Sequence, residues 1–260
     1  MTIEETTDAP WESLLPLVRG ALPLGGTLRR TDPAGACPAA IAVVGLYPAL
    51  TRTKLYKCAD GTRINLPVEV EAHTFEGSES ASELDRRYLA PLGLTREQIL
   101  TIDLYPYYFA NTAVGRNGRS MWSNVQTFHS EAGLKTAVDG RPKDDEVVRL
   151  CRALPGNADR LAHYFRRCRP ALVITLGNEV SAYVRGYEAA SQAQAHLYGP
   201  PFESDAFGIL TSVVHVAHPG LLMRRPTTDP WIARHTAWCA TEGKVLVENA
   251  LRTWSATPAV

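Results

Sequence analysis

Four short, predominantly apolar runs constrain this chain more than anything else in it, the first of them continuously apolar. They are Ala40 to Leu46 (Ala-Ile-Ala-Val-Val-Gly-Leu), Ile99 to Leu104, Pro170 to Gly177 (Pro-Ala-Leu-Val-Ile-Thr-Leu-Gly) and Val213 to Ala217. Each is closed within a few residues by Pro or Gly. A strand without polar alternation has no face to show to water, so it must be covered on both sides, as in a parallel sheet between helices. The intervening sequence supplies the helices. Apolar residues recur at helical spacing over Ser82 to Leu92 (Leu84, Tyr88, Leu89, Leu92), and Asp144 to Leu154, Ala158 to Cys168, Glu179 to Ala190 and Pro230 to Thr253 also read as helices. The expected fold is a three-layer α/β/α sandwich around a central, mostly parallel sheet of four to five strands. Trp11 to Ala21 reads as a further helix, and Leu55 to Phe75 as a hairpin around Ala59-Asp60-Gly61. With no repeat and no interdomain linker, residues 1–260 are expected to form one monomeric domain with its core at about 40–235.

Bulk composition narrows the class. Hydrophobic residues make up 45% of the chain, enough for a sizeable core, and no apolar run approaches the roughly 18 residues of a membrane span. Met1 to Trp11 is polar and acidic, unlike a signal peptide. Five cysteines, an odd number without close pairs, suggest no disulfide framework and a reducing, cytoplasmic setting. Net charge is +0, so nothing global favours nucleic acid. Locally, however, Arg149, Arg152, Arg160, Arg166, Arg167, Arg169 and Arg185 face only Asp159 and Glu179 over the same span. Such a stretch can form a basic face, although a solvated helix surface explains most of those arginines as well.

The ends of the runs carry the chemistry-bearing residues, where open α/β sheets place their sites. The fourth run leads into His218-Pro219-Gly220, followed by Leu221, Leu222 and Met223 and then Arg224 and Arg225. Bulky apolar residues beside arginines suit a wedge into a base stack with a grip on phosphates. A turn histidine followed by an amphipathic helix start is the plain alternative. The first run ends in Gly45-Leu46-Tyr47-Pro48-Ala49, and the second in Ile102-Asp103, then Tyr105, Tyr107, Tyr108 and Phe109. Gly115 to Ser120 is a basic loop containing Arg116 and Arg119.

Taken in this order, the four strand ends resemble those of the uracil-DNA glycosylase superfamily. That superfamily has a strand ending in Gly-x-x-Pro, one ending in a base-reading residue, a strand of the Pro-x-x-apolar-x-x-Leu-Gly type, and one ending in His-Pro. The resemblance covers roughly residues 40–235, and it implies an enzyme that flips a nucleotide out of duplex DNA and hydrolyses its N-glycosidic bond. It maps the motif histidine, which meets the pyrimidine O2 as negative charge develops, onto His218. Leu221, Leu222 and Met223 become the wedge, and Arg224, Arg225, Arg116 and Arg119 the phosphate clamp. One aromatic among Tyr47, Tyr105, Tyr107, Tyr108 and Phe109 would stack on the extruded base. The chain departs from the family where other branches carry an Asp or Asn to position water: Leu46 and Tyr47 stand there. Either another carboxylate activates water or leaving-group stabilisation dominates.

Two positions bear on the base. Asp103 stands where most of the family has Asn. A carboxylate accepts only, so it suits the N4 amino group of cytosine and is repelled by uracil O4. Water activation and capping of the following turn are its other roles. Ala49 stands where uracil-excising branches have a tyrosine crowding C5, and alanine leaves space there. Together they point to a cytosine substituted at C5, such as the hydroxymethyl or glucosylated cytosine of phage DNA, and hence to antiviral defence. Repair of uracil, a catalytically silent DNA-binding member of the fold, and hydrolysis of free nucleosides remain alternatives.

No cofactor, metal or obligate protein partner is expected. Some branches hold an iron–sulfur cluster through four cysteines, but Cys37 and Cys58 are no close pair to join Cys151 and Cys168. His215 and His218 fall on opposite faces of a strand, unsuited to a zinc pair, which leaves His215 a core or supporting residue. Walker, Gly-x-Ser-x-Gly and His-Glu-x-x-His motifs are absent.

Overall fold

Each of the four apolar runs forms a strand, and the four lie side by side. A computed structural model describes residues 2–6, 30–48, 53–57, 63–67, 78–114, 120–131 and 139–255. It divides the chain into two compact units that alternate along the sequence: Met1–Thr31, Tyr47–Ser78 and Pro106–Pro142 form one, and Asp32–Leu46, Glu79–Tyr105 and Lys143–Val260 the other. In chain order the strands are β1 (Thr2–Thr6), β2 (Ala34–Gly35), β3 (Ile41–Gly45), β4 (Thr53–Lys57), β5 (Arg63–Pro67), β6 (Ile99–Asp103), β7 (Phe109–Ala110), β8 (Asp139–Gly140), β9 (Leu172–Leu176), β10 (Phe202–Ser204) and β11 (Thr211–Val216). The helices are α1 (Glu79–Leu84), α2 (Met121–Glu131), α3 (Asp144–Ala153), α4 (Asn157–Cys168), α5 (Asn178–Arg185), α6 (Pro219–Met223), α7 (Pro230–Ala240) and α8 (Glu242–Ser255).

The larger unit is the α/β/α sandwich. Its sheet has the order β10-β11-β9-β3-β6-β2 and therefore six strands, more than the four to five expected. The four apolar runs make the parallel centre, β11-β9-β3-β6. The additions are two short edge strands, β10 and β2, which pair antiparallel. At two and three residues they are too short to announce themselves by alternation. Every residue of β3, β6 and β9 is buried, the polar Thr101, Asp103 and Thr175 included, as strands covered on both faces require. On α4, Leu161 and Phe165 are fully buried, and Phe165 stacks on Phe207 with ring centres 4.4 Å apart. Burying one such ring contributes roughly 2–3 kcal/mol.

Some helix boundaries differ from expectation for local reasons. α1 begins at Glu79 and its chain widens into a π-helical turn over Asp85–Leu89, which keeps Tyr88 and Leu89 buried. α5 stops at Gly186, which takes a left-handed φ of 72°, so the helix expected to reach Ala190 ends five residues early and a 3-10 segment, Ala190–His196, follows. The single helix expected over Pro230 to Thr253 is two, α7 and α8, broken at Thr241. A Cβ on Gly243 would stand 2.7 Å from the Trp238 ring, so glycine is what lets Trp238 lie against the start of α8.

Cysteine usage also differs: Cys37 and Cys168 form a disulfide, joining the approach to β3 with the end of α4 across 131 residues of sequence. A disulfide is at odds with the reducing setting expected from the odd cysteine number. Cys151 and Cys239 are free and buried.

In the smaller unit β1 pairs parallel with β4, and β4 pairs antiparallel with β5 in the register Lys57↔Arg63, the hairpin expected from the sequence. The helix expected at Trp11 to Ala21, together with Ala49, Cys58, the hairpin turn, Arg116 and Arg119, lies outside the described residues. No helix among the described residues is long and apolar enough to cross a membrane.

Candidate active site at the carboxyl edge of the sheet

The strand order creates a switch point. From β3 the chain goes to β6 on one side, then returns to β9 on the other and continues outward to β11. In such sheets the crevice outside the carboxyl ends at the switch point is where ligands sit. Here Gly45 ends β3 and Gly177 follows β9, so the two residues at the centre of that edge carry no side chain. Leu104 and Tyr105 donate backbone hydrogen bonds to Gly45 and Leu46 (2.9 and 2.8 Å), extending the β3–β6 pairing beyond the strands and fixing the edge.

Asp103 and His218 stand on the two flanks. Asp103 is the last residue of β6, pairs in register with Gly45 and is only 2% exposed. Because register partners in parallel strands share a face, Asp103 lies on the face that carries Gly45, Val43, Ile174, Val214 and Val216. His218 is two residues beyond Val216 and still extended (φ −72°, ψ 137°), so it continues the same row. The two sequence candidates for chemistry thus occupy one face of one sheet edge, three strand spacings or about 14 Å apart along it. His215 belongs to the opposite row, as expected: it is 1% exposed, and its Nδ1 lies 2.5 Å from Thr175 Oγ1.

Local structure sets the state of His218. It caps the N-terminus of α6, with Nδ1 accepting a hydrogen bond from the Gly220 amide at 3.1 Å. Nδ1 is thereby an acceptor, and the ring proton sits on Nε2, which makes His218 a neutral donor. The backbone behind it is held from below. Tyr88 Oη donates to the Ala217 carbonyl at 2.5 Å, Tyr198 Oη pairs with His235 Nδ1 at 3.0 Å, and the Arg87 carbonyl accepts from His235 Nε2 at 2.9 Å. Burial pushes both phenols up and pushes the His235 imidazole down, so the cluster stays uncharged.

Asp103 is held in an equivalent way. Arg160 of α4, 5% exposed, donates to the carbonyls of Asp103 (2.6 Å) and Leu104 (3.0 Å), and to Asn157 Oδ1 (3.0 Å). Asn157 adds a bond to the Leu104 carbonyl at 3.0 Å. Arg160, one of the arginines of the basic stretch in the sequence, is thus turned inward and buried. Arg160 is one of the charged groups near Cys151, yet desolvation dominates there and pushes that thiol up to about 12, leaving it inert.

The residues expected to enter DNA differ in exposure. Leu221 is 39% exposed, Met223 is half-buried and Arg224 is exposed. Leu222 is fully buried in the core, which corrects its reading as a wedge. Arg225 is half-buried and ion-paired with Asp229 at 2.7 Å. Tyr105 is half-buried just beyond Asp103. Within the smaller unit, Tyr47 packs edge-on against Phe109 (5.3 Å) with the Arg141 guanidinium 5.8 Å from its ring centre. Tyr108 in that unit hydrogen-bonds Met121 Sδ at 3.0 Å.

One acidic residue at this edge escaped the sequence reading. Glu179, half-buried in the first turn of α5, turns its carboxylate back over Gly177. Among the described residues no group of three His, Cys, Asp or Glu side chains could hold a metal ion. Cys168, bonded to Cys37, is not available as a thiolate ligand. No protein-family model and no curated protein matches the chain.

Proposed function

We propose that this protein is a DNA glycosylase that extrudes a pyrimidine, a cytosine substituted at C5, and hydrolyses its N-glycosidic bond to leave an abasic site. The observation that carries the reading is the pairing of His218 and Asp103 on one face of the sheet's carboxyl edge, one a fixed N–H donor and the other a carboxylate. A base bound over Gly45 would present opposite edges to the two. As the C1′–N1 bond breaks, its electron pair passes to the base, and His218 Nε2–H would stabilise the charge gathering at O2. Asp103 would accept from the N4 amino group, a contact that uracil cannot make. Water adds to C1′, giving the free base and the abasic sugar.

Leu221 and Arg224, exposed on the turn that follows His218, support contact with duplex DNA beside the pocket. Ala49, too small to crowd C5, supports a substituted base. The setting in which such bases occur, modified phage genomes, makes antiviral defence the role that fits.

The test uses purified protein on duplexes containing uracil, cytosine, 5-hydroxymethylcytosine or its glucosylated form, with abasic sites scored beside a His218→Ala control. Cleavage of a modified cytosine is expected, with a loss of about 100-fold or more in the control. Excision of uracil alone would keep the enzyme and discard the substrate. DNA binding without any abasic sites would point instead to a silent member of the fold.

A further inference from the structure

The proposed reaction needs a group to activate water, and Leu46 and Tyr47, at the turn after β3, cannot serve as its carboxylate. We infer that Glu179 supplies it; the inference rests on the glycosylase reading. A Cβ placed on Gly177 would stand 3.3 Å from Glu179 Oε2 and 3.3 Å from His218 Cβ. Carboxylate and histidine therefore both pack closely over Gly177, an approach that a glycine at this position permits. The backbone reinforces this arrangement. Gly177 has φ 92° and ψ 170°, a conformation confined essentially to glycine, and the turn it makes starts α5 so that Glu179 points back towards the sheet edge.

Asp103 is the competing carboxylate, and position separates the two. Asp103 ends β6, across β3 from β9, whereas Glu179 follows β9 and adjoins the histidine strand β11. A base read by Asp103 and met at O2 by His218 occupies the edge between them, which leaves Glu179 on the His218 side with the sugar. In the step assigned to it, Glu179 takes a proton from water as the water oxygen bonds to C1′. The C1′–N1 pair leaves with the base, whose O2 is held by His218 Nε2–H. The departing base is then protonated from solvent, Glu179 gives its proton back to solvent, and the sugar is released as a hemiacetal. No further reactant is needed. An ordinary role for a glutamate in a first helical turn is to complement the helix dipole, and a dipole role predicts no effect on catalysis.

The experiment compares wild type, Glu179→Gln, Glu179→Asp and His218→Ala in single-turnover excision from the duplex panel. Duplex affinity is measured by fluorescence anisotropy and folding by circular dichroism. Glu179→Gln is expected to slow excision by about 100-fold or more at unchanged affinity. The wild-type rate should fall on the acid side as the carboxylate protonates, and that limb should be missing from Glu179→Gln. Glu179→Asp, which keeps the carboxylate, should recover part of the rate and the acid limb, and it carries the test if the Gln variant is misfolded. If wild type excises, His218→Ala does not, and Glu179→Gln stays within about threefold of wild type, Glu179 is overturned and the glycosylase stands. If wild type excises nothing, both fall.

Discussion

At the scale of single residues the edge of the sheet depends on what is missing as much as on what is present. Gly177 is the sharpest case. Replacing it by alanine forces a side chain into a glycine-only conformation, at a cost of about 1–3 kcal/mol. The new carbon would stand 3.3 Å from both Glu179 Oε2 and His218 Cβ, so one of them must move. Gly177→Ala is therefore expected to lower the urea midpoint and to reduce excision by more than its lost stability explains; unchanged excision in a folded variant would mean that the two groups do not act on one substrate. Asp103 and His218 were legible because each stands at the end of an apolar run. Glu179 was not legible. A lone glutamate after Leu-Gly reads as an ordinary helix start, and only the close approach of β11 to β9 brings it beside the histidine. Arg160 was misleading for the converse reason: its partners are backbone carbonyls, which leave no trace in sequence.

Elements show the same split between periodicity and long-range contact. The four central strands follow from their predominantly apolar, strand-length runs, and α3 and α4 from helical spacing. Where helical reading overran, at Gly186 and at Thr241, a glycine marked or followed the break and a run of helix-compatible residues concealed it. Tyr88 was correctly placed on a buried helical face, but its hydroxyl has a partner 129 residues away, the Ala217 carbonyl just before His218. Tyr88→Phe keeps the ring and removes that bond, leaving a buried carbonyl short of a donor. The expected cost is about 1–2 kcal/mol in denaturant unfolding, with a fall in excision rate larger than any fall in duplex affinity. Equal losses in both would show that the tyrosine supports the fold without positioning the histidine.

For the whole molecule, the buried histidines set the response to acid. His215 is held near 3 by desolvation, with the charges of Arg185 and His196 adding to it, against about 6.5 when unfolded. A histidine with a depressed folded value stabilises the protein above its unfolded pKa and loses that stability as pH falls towards the folded one. The window is therefore about pH 6.5 down to about 3, and by pH 5 the loss from His215 is about 2 kcal/mol. His235, also depressed by burial, adds in the same direction. Urea midpoints should drop from pH 7 to pH 5 in wild type and drop less in His215→Gln; parallel declines would remove His215 as the cause. Invisible at this scale to sequence reading were the disulfide, whose halves are 131 residues apart, and the division into two units, whose segments alternate without a composition shift.

The sheet order also sets a timetable for synthesis. β3 and β6 are neighbours and leave the ribosome early, so the edge bearing Asp103 can pair while most of the chain is still unmade. β9 docks on the other side of β3 only after residue 172, and β11 after residue 211. Glu179 and then His218 thus reach the edge last, and a nascent chain stalled after β6 but before β9 presents a carboxylate and half a sheet, with no histidine beside it.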